Sequence, residues 1–181
     1  MKKASPEKTG VNKDLKAESL AESCLQHELR QKIPFASIRA EAFLNLLRTT
    51  DKLQRQLQMA LKPHGLTETQ YNALRILRGA GDTPLPCSEV GERLIHDAPD
   101  ITRLLDRLER NGLIRRQRDL KDRRIVLSQI TAEGLAQLKK LDGVVESSVD
   151  QMLGHMNQTE LRQIVRLLVK ARNMEKNSRK S

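Results

Sequence analysis

Aromatic residues are nearly missing from this chain of 181 residues. Phe35, Phe43 and Tyr71 are all of them, and there is no tryptophan. Single-strand nucleic-acid modules stack bases on aromatic faces, so the shortage argues against that class of binder. No apolar run approaches the roughly 18 to 20 residues of a membrane span. The basic stretch at residues 1–10 has no apolar segment behind it, so it does not read as a secretory signal. Cysteine is scarce too. Cys24 and Cys87 make neither a disulfide framework nor a metal pattern, and they read as two reduced thiols in a cytoplasmic protein. A Gly-rich phosphate loop, a Gly-x-Ser-x-Gly elbow and a Cys/His metal signature are all lacking. The expectation is therefore not an enzyme, with no catalytic residue, no metal and no cofactor.

Positive charge is what the chain has in excess. Lys and Arg number 33 against 23 Asp and Glu, a net charge of +10. A basic surface of this kind suggests an anionic partner, most often nucleic acid. The excess is uneven. Residues 100–124 hold nine Lys or Arg against five acids, and residues 162–181 hold seven against one. The first of these lies inside a structured pattern. The second reads equally as a fraying basic helix end or as a contact with a partner.

The order of elements comes from hydrophobic periodicity and caps. Residues 1–12 have little to bury and read as disordered. A weakly amphipathic helix is expected over 14–30, ended by Pro34. A long helix follows over 37–61, with Phe43, Leu46, Leu47, Leu53, Leu57, Ala60 and Leu61 as its stripe. Thr67 with Gln70 is a capping box for the next helix, whose inward face is Tyr71, Leu74 and Leu77. Gly79, Gly81, Pro84 and Pro86 read as a loop. Ser88 is the expected N-cap of a short helix to residue 95, and residues 96–99 are a turn. Asp100 caps a helix to residue 110, which turns Ile101, Leu104, Leu105 and Leu108 inward. Asn111-Gly112 stops it. Two β-leaning runs at 113–117 and 125–130 flank a basic tip. Thr131 opens a helix to about residue 153, and Asn157 with Glu160 opens the last, whose inward side is Leu161, Ile164, Val165, Leu168 and Ala171.

Two short helices about a tight turn, followed by a hairpin, make a winged helix-turn-helix. The fold class expected is mainly α with a small β-hairpin wing. The long flanking helices carry more apolar stripe than that module covers, and a second copy of the chain is the simplest cover. The helix over 100–110 leaves an Arg-bearing face for the major groove of duplex DNA. Thr102 can reach a phosphate or a thymine methyl, Arg103 can make two bonds to guanine, and Arg107 lies one turn on. The tip carries Arg118, Lys121, Arg123 and Arg124, suited to a phosphate backbone or a narrow minor groove. Asp119 and Asp122 are expected to pair with neighbouring arginines and fix its shape. Ser88, Pro99 and Asp100 complete the expected DNA-contacting set. Duplex RNA, with its deep and narrow major groove, does not admit such a helix.

The run Asp100-Ile-Thr-Arg-Leu-Leu-Asp-Arg-Leu-Glu-Arg-Asn-Gly-Leu-Ile114, then Arg118-Asp-Leu-Lys-Asp-Arg-Arg124, then Ile130-Thr-Ala-Glu-Gly134, resembles the MarR family of transcriptional regulators. Leu66-Thr-Glu-Thr-Gln-Tyr71 is similar to that family's second-helix start. The resemblance covers about residues 37–173. It implies a homodimer on a pseudo-palindromic operator, usually a repressor. Its DNA-binding lobe would be about 66–130, and its dimerisation helices about 37–61, 132–153 and 158–174. An extension over 1–36 and a basic tail over 175–181 would flank that domain. Arg124 would be the minor-groove arginine, positioned by Asp122. Many members release DNA when a small, often phenolic, inducer binds between the dimerisation helices and the DNA-binding lobe. Phe43, Leu47, Tyr71 and Leu74 are the expected walls of such a pocket, and each is equally explained as core. Redox or metal response is the alternative within the same fold, and a non-regulatory nucleic-acid-binding protein is a further one. Cys24 lies upstream of the position of the family's peroxide-sensing cysteine. The histidines His27, His64, His96 and His155 are far apart in sequence, unlike clustered zinc ligands.

Overall fold

The computed structural model describes residues 25–173. The chain divides into two compact units at Lys52 and Leu53, which are taken in turn.

In the first unit, residues 25–28 form a helical turn, and the part of the expected 14–30 helix before it lies outside the described residues. Cys24 lies outside them as well. The long helix, α1 (Ile38–Leu61), begins in this unit. Ser37 starts it, its hydroxyl accepting from the Ala40 N–H at 3.2 Å. The Arg48 guanidinium donates to Glu28 at 2.8 Å. Phe43, Leu46 and Leu47 were expected on a buried stripe, yet Phe43 is 59% exposed and the other two are exposed as well.

The second unit carries the winged helix. A short 3-10 turn (Lys62–His64) leads to α2 (Glu68–Gly79), β1 (Leu85–Pro86) and α3 (Cys87–Glu92). Then come α4 (Ile101–Arg110), β2 (Ile114–Arg118), β3 (Val126–Ile130), α5 (Ala132–Leu153) and α6 (Gln158–Arg172). The strands form one antiparallel sheet in the order β1-β3-β2. Ile114 faces Ile130 at one end of the hairpin, and Arg118 faces Val126 at the other. β1 was expected as loop. Its two residues pair with Leu127 and Ser128, and Pro86 is tolerated because β1 is an edge strand.

The caps form as their spacing predicts. Thr67 and Gln70 make the reciprocal pair, as do Asn157 and Glu160. Ser88 is not an N-cap: it lies inside α3, which begins at Cys87 with Pro86 at the cap position and no side-chain bond there. β1 ends at Pro86, and its ladder delivers the chain straight into the helix.

Leu74, Leu77, Leu105, Leu108, Leu138 and Leu141 are essentially inaccessible, and Tyr71 is buried beside them. α2, α4, the sheet and the first half of α5 thus share one core. Gly112 (φ +71) ends α4 in the left-handed conformation that favours glycine. Gly134 is required for a different reason. A Cβ there would stand 2.2 Å from the Leu113 carbonyl oxygen and 2.8 Å from the Ile130 side chain. The first turn of α5 can dock on the root of the hairpin only without that atom. Gly134→Ala is expected to cost about 1–3 kcal/mol of unfolding free energy, the usual range for overpacking, measured by denaturant titration.

Among the described residues, no helix is long and apolar enough to cross a membrane. α6 has no buried residue at all, and Val165 is 61% exposed. Of the inward side expected for α6, Leu161 and Leu168 are half-buried, whereas Ile164, Val165 and Ala171 are exposed to solvent among the described residues.

Candidate nucleic-acid interface

α4 is held by its apolar side. Leu105 and Leu108 are fully buried, and Ile101 and Leu104 pack against the core from the edge. Thr102, Arg103, Arg107 and Arg110 consequently lie exposed on the opposite side. Asp100 caps the helix, its Oδ1 accepting from the Arg103 N–H at 3.0 Å. The second oxygen, Oδ2, accepts from Arg103 Nε at 2.9 Å. The Arg103 side chain is nonetheless 80% exposed. Pro99 is exposed in the turn before the cap, and Ser88 is exposed on α3.

The wing tip is set by Asp122. Its carboxylate accepts from the Arg124 backbone N–H and from Arg124 Nε, both at 3.0 Å, and from Nη2 at 2.9 Å. The guanidinium therefore projects in one orientation while its side chain stays 89% exposed. The Arg124 hydrogen bonds, side chain first and then backbone, hold the Asp122 carboxyl below the usual carboxylate range. A lowered value means the lock is whole above that range. It opens only as pH falls through the lowered value. Asp119 was expected to pair with an arginine. Its Oδ2 instead accepts from the Asp122 backbone N–H at 3.4 Å, which tightens the same turn. Arg118 donates to the Arg123 carbonyl at 3.3 Å. Lys121 and Arg123 are exposed at the tip.

One cluster was not read from the sequence. Asp106 and Glu109 alternate with Arg103, Arg107 and Arg110 along the sequence, a pattern that by itself reads as a solvated face. In the structure both turn toward Arg116 on β2. The Arg116 guanidinium hydrogen-bonds Asp106, lies 3.8 Å from Glu109, and is only 13% exposed. The Arg116 backbone N–H donates to Glu109 at 3.1 Å. Burial works against the Arg116 charge, but the Asp106 hydrogen bond and the nearby acids outweigh it and raise its affinity for the proton. Helix α4 and the hairpin are thereby clamped together, and two acids are drawn away from the exposed arginines. The acids are seven and ten residues from Arg116, so only the tertiary fold could reveal the cluster.

Tyr71 and Leu74 belong to the core, with the Arg75 guanidinium over the Tyr71 ring at 5.8 Å, whereas Phe43 and Leu47 are exposed. A cavity of about 550 Å³ opens elsewhere, between α1 and α5, lined by Gln56, Met59, Ala60, Gly143, Val144, Ser147, Ser148 and Gln151. None of the four expected walls lines it. Cys87 is a free thiol, 3.4 Å from the Ser128 hydroxyl. Among the described residues, no three His, Cys, Asp or Glu side chains stand together as metal ligands would. His96, expected in a plain turn, contacts Gln54 at 2.6 Å and Glu68 at 3.3 Å.

A recognition-type helix clamped to a wing with a locked arginine is a specific arrangement, and comparison with known proteins agrees with it. The MarR family profile matches residues 66–126. The uncharacterised HTH-type transcriptional regulator YkoM of Bacillus subtilis is 31% identical over 110 residues, covering 61% of this chain and 70% of YkoM. The chain belongs to the MarR family. Among solved structures, a MarR transcription factor from Planctomyces limnophilus is 37% identical with a TM-score of 0.60, covering 74% of this chain and 97% of that one. A cysteine-to-serine mutant of MarR from E. coli, solved with operator DNA, is 25% identical with a TM-score of 0.64, covering 74% of this chain and 94% of that one. Like other MarR-family proteins, this chain is a DNA-binding transcription regulator and not an enzyme.

Proposed function

We propose that this MarR-family protein is a homodimeric repressor acting in the cytoplasm on a pseudo-palindromic operator. Each protomer lays α4 in a major groove, with Thr102, Arg103 and Arg107 toward base edges and phosphates. Each wing sends Arg124 toward the adjacent minor groove, with Arg118, Lys121 and Arg123 along the backbone. Ser88 and Pro99 meet the flanking phosphates and the groove edge, and Asp100, an anion that phosphates repel, takes part through the Arg103 side chain it holds. The observation that carries this reading is the Asp122–Arg124 lock. It holds one exposed guanidinium in a fixed direction at the tip of a basic loop. A narrow minor groove, with its strong negative potential, is the DNA feature that such an arginine fits.

Pairing through about 37–61, 132–153 and 158–174 would cover the apolar side chains that one protomer leaves in water. The two recognition helices then have to meet half-sites about one helical turn apart, roughly 34 Å. Bound there, the dimer blocks a promoter it overlaps. Release by a small molecule is supported by the cavity between α1 and α5. Its size falls within the range of small-molecule sites, and no charged side chain lines it.

The test is binding to the DNA upstream of its own gene against scrambled DNA across a salt series. Selective binding that survives about 150 mM salt is the expected result, whereas equal binding steeply lost with salt would reduce the protein to backbone electrostatics. Arg124→Ala is expected to weaken binding to every sequence, since wing contacts read backbone and shape. Its salt slope should fall by about one unit.

A further inference from the structure

Arg103 does not stand free on α4. A single carboxylate, that of Asp100, holds it at two points: Oδ1 on its backbone N–H at 3.0 Å and Oδ2 on its side-chain Nε at 2.9 Å. The first bond caps the helix. The second has no capping role, because a cap needs only one acceptor. It is an ion pair on the most exposed side of the helix, where long arginine side chains ordinarily wander and such pairs contribute little to stability.

We infer that Asp100 is a specificity-determining positioning residue, which buttresses Arg103 so that it reads a guanine end-on. This rests on the reading that α4 enters the major groove. An arginine can offer guanine O6 and N7 two parallel donors either through its terminal pair, Nη1 and Nη2, or through its side, Nε and Nη2. With Nε taken by Asp100, only the terminal pair is left. The side-on mode is closed, and the guanidinium plane is fixed relative to the helix axis. The Asp100 charge also offsets part of the Arg103 charge. That weakens the pull of phosphates, which would otherwise draw Arg103 to the backbone, where no base is read.

The role can be separated from the cap. Asn and Ser cap helices about as well as Asp, but neither supplies an anionic oxygen to Nε. The full chain, as wild type, Asp100→Asn, Asp100→Ser, Arg103→Ala and the Asp100→Asn/Arg103→Ala double variant, is used to select from a duplex pool randomised over about 25 base pairs, wide enough for two half-sites. The selected pools are sequenced, and thermal stability is measured alongside. Arg103→Ala is expected to erase preference at one guanine per half-site. Asp100→Asn and Asp100→Ser should each lower that same preference about tenfold, leaving the other positions and the melting temperature nearly unchanged. The double variant should match Arg103→Ala, because a buttress is worth nothing without the side chain it holds. Undiminished guanine preference in both Asp100 variants overturns the inference while leaving the docking reading intact. So does a loss spread evenly over all positions together with a lowered melting temperature, which would mark Asp100 as a cap alone. An Arg103→Ala pool unchanged at every position overturns the docking of α4 and the buttress with it.

Discussion

Asp106→Ala is expected to destabilise the protein more than Arg116→Met, although both remove the same ion pair. The asymmetry comes from burial. Asp106 and Glu109 keep over 40% of their side-chain surface in water, whereas Arg116 keeps 13%. Take away Arg116, and the two acids can rehydrate where they stand. A methionine fills much of the space that the arginine stem occupied, so a loss of about 1–2 kcal/mol is expected. Take away Asp106 instead, and a guanidinium that cannot give up its proton is left buried. Among the described residues Glu109, at 3.8 Å, is then the one acid beside it, and Nε of Arg116 already has no hydrogen-bond partner there. A buried charge that loses its partner costs about 3–5 kcal/mol, and the half-exposed position of Asp106 sets the expectation at the lower end. Thermal and urea unfolding of both variants measure the difference. Equal losses would mean that the clamp behaves as an ordinary surface pair. The clamp also predicts a functional split. Arg116→Met should lower operator affinity more than affinity for scrambled DNA, since it loosens the angle between α4 and the wing without removing a DNA-facing charge.

What could be read from the chain in advance was what is local to it. The Thr67–Gln70 and Asn157–Glu160 boxes, the Thr131 and Asp100 caps and the Gly112 stop all lie within a few residues of their partners, and each formed. The Asp122–Arg124 lock is also local, two residues apart, and its family motif was visible. β1 was missed because two residues, Leu85 and Pro86, following Pro84 carry no periodicity. They become a strand only when β3 arrives from about 40 residues away. The Ser88 cap failed for the same reason, since that ladder fixes where α3 starts. The Asp106–Glu109–Arg116 cluster joins a helix to a strand across the Gly112 turn, and neither pattern alone shows which face meets the other. Phe43 and Leu47 mark a different limit. Helical spacing shows that a stripe is apolar but not what covers it, and both are exposed in the single chain.

The same ambiguity makes a single charge on α6 the most damaging change to function. Val165→Glu is expected to leave the protomer folded and to abolish tight operator binding. Val165 is 61% exposed, and α6 buries none of its residues, so a carboxylate there meets water in the single chain. Ile164, Leu167 and Val169 are exposed on the same helix, and exposed apolar side chains gathered on one element commonly mark an interaction surface. In the proposed dimer Val165 is covered, and the new charge would be buried unpaired or would force the protomers apart. A monomer engages only one half-site. It loses the linkage that turns the second binding event into an intramolecular one, and that linkage is typically worth 10²–10⁴-fold in affinity. The expected results are a halved mass by sedimentation equilibrium, unchanged helical content by circular dichroism, and operator affinity reduced by about 100-fold or more. Affinity for scrambled DNA should change far less, since the basic face of each protomer survives. A variant that keeps its mass and its affinity would place the interface elsewhere and leave the exposed row on α6 without a role in pairing.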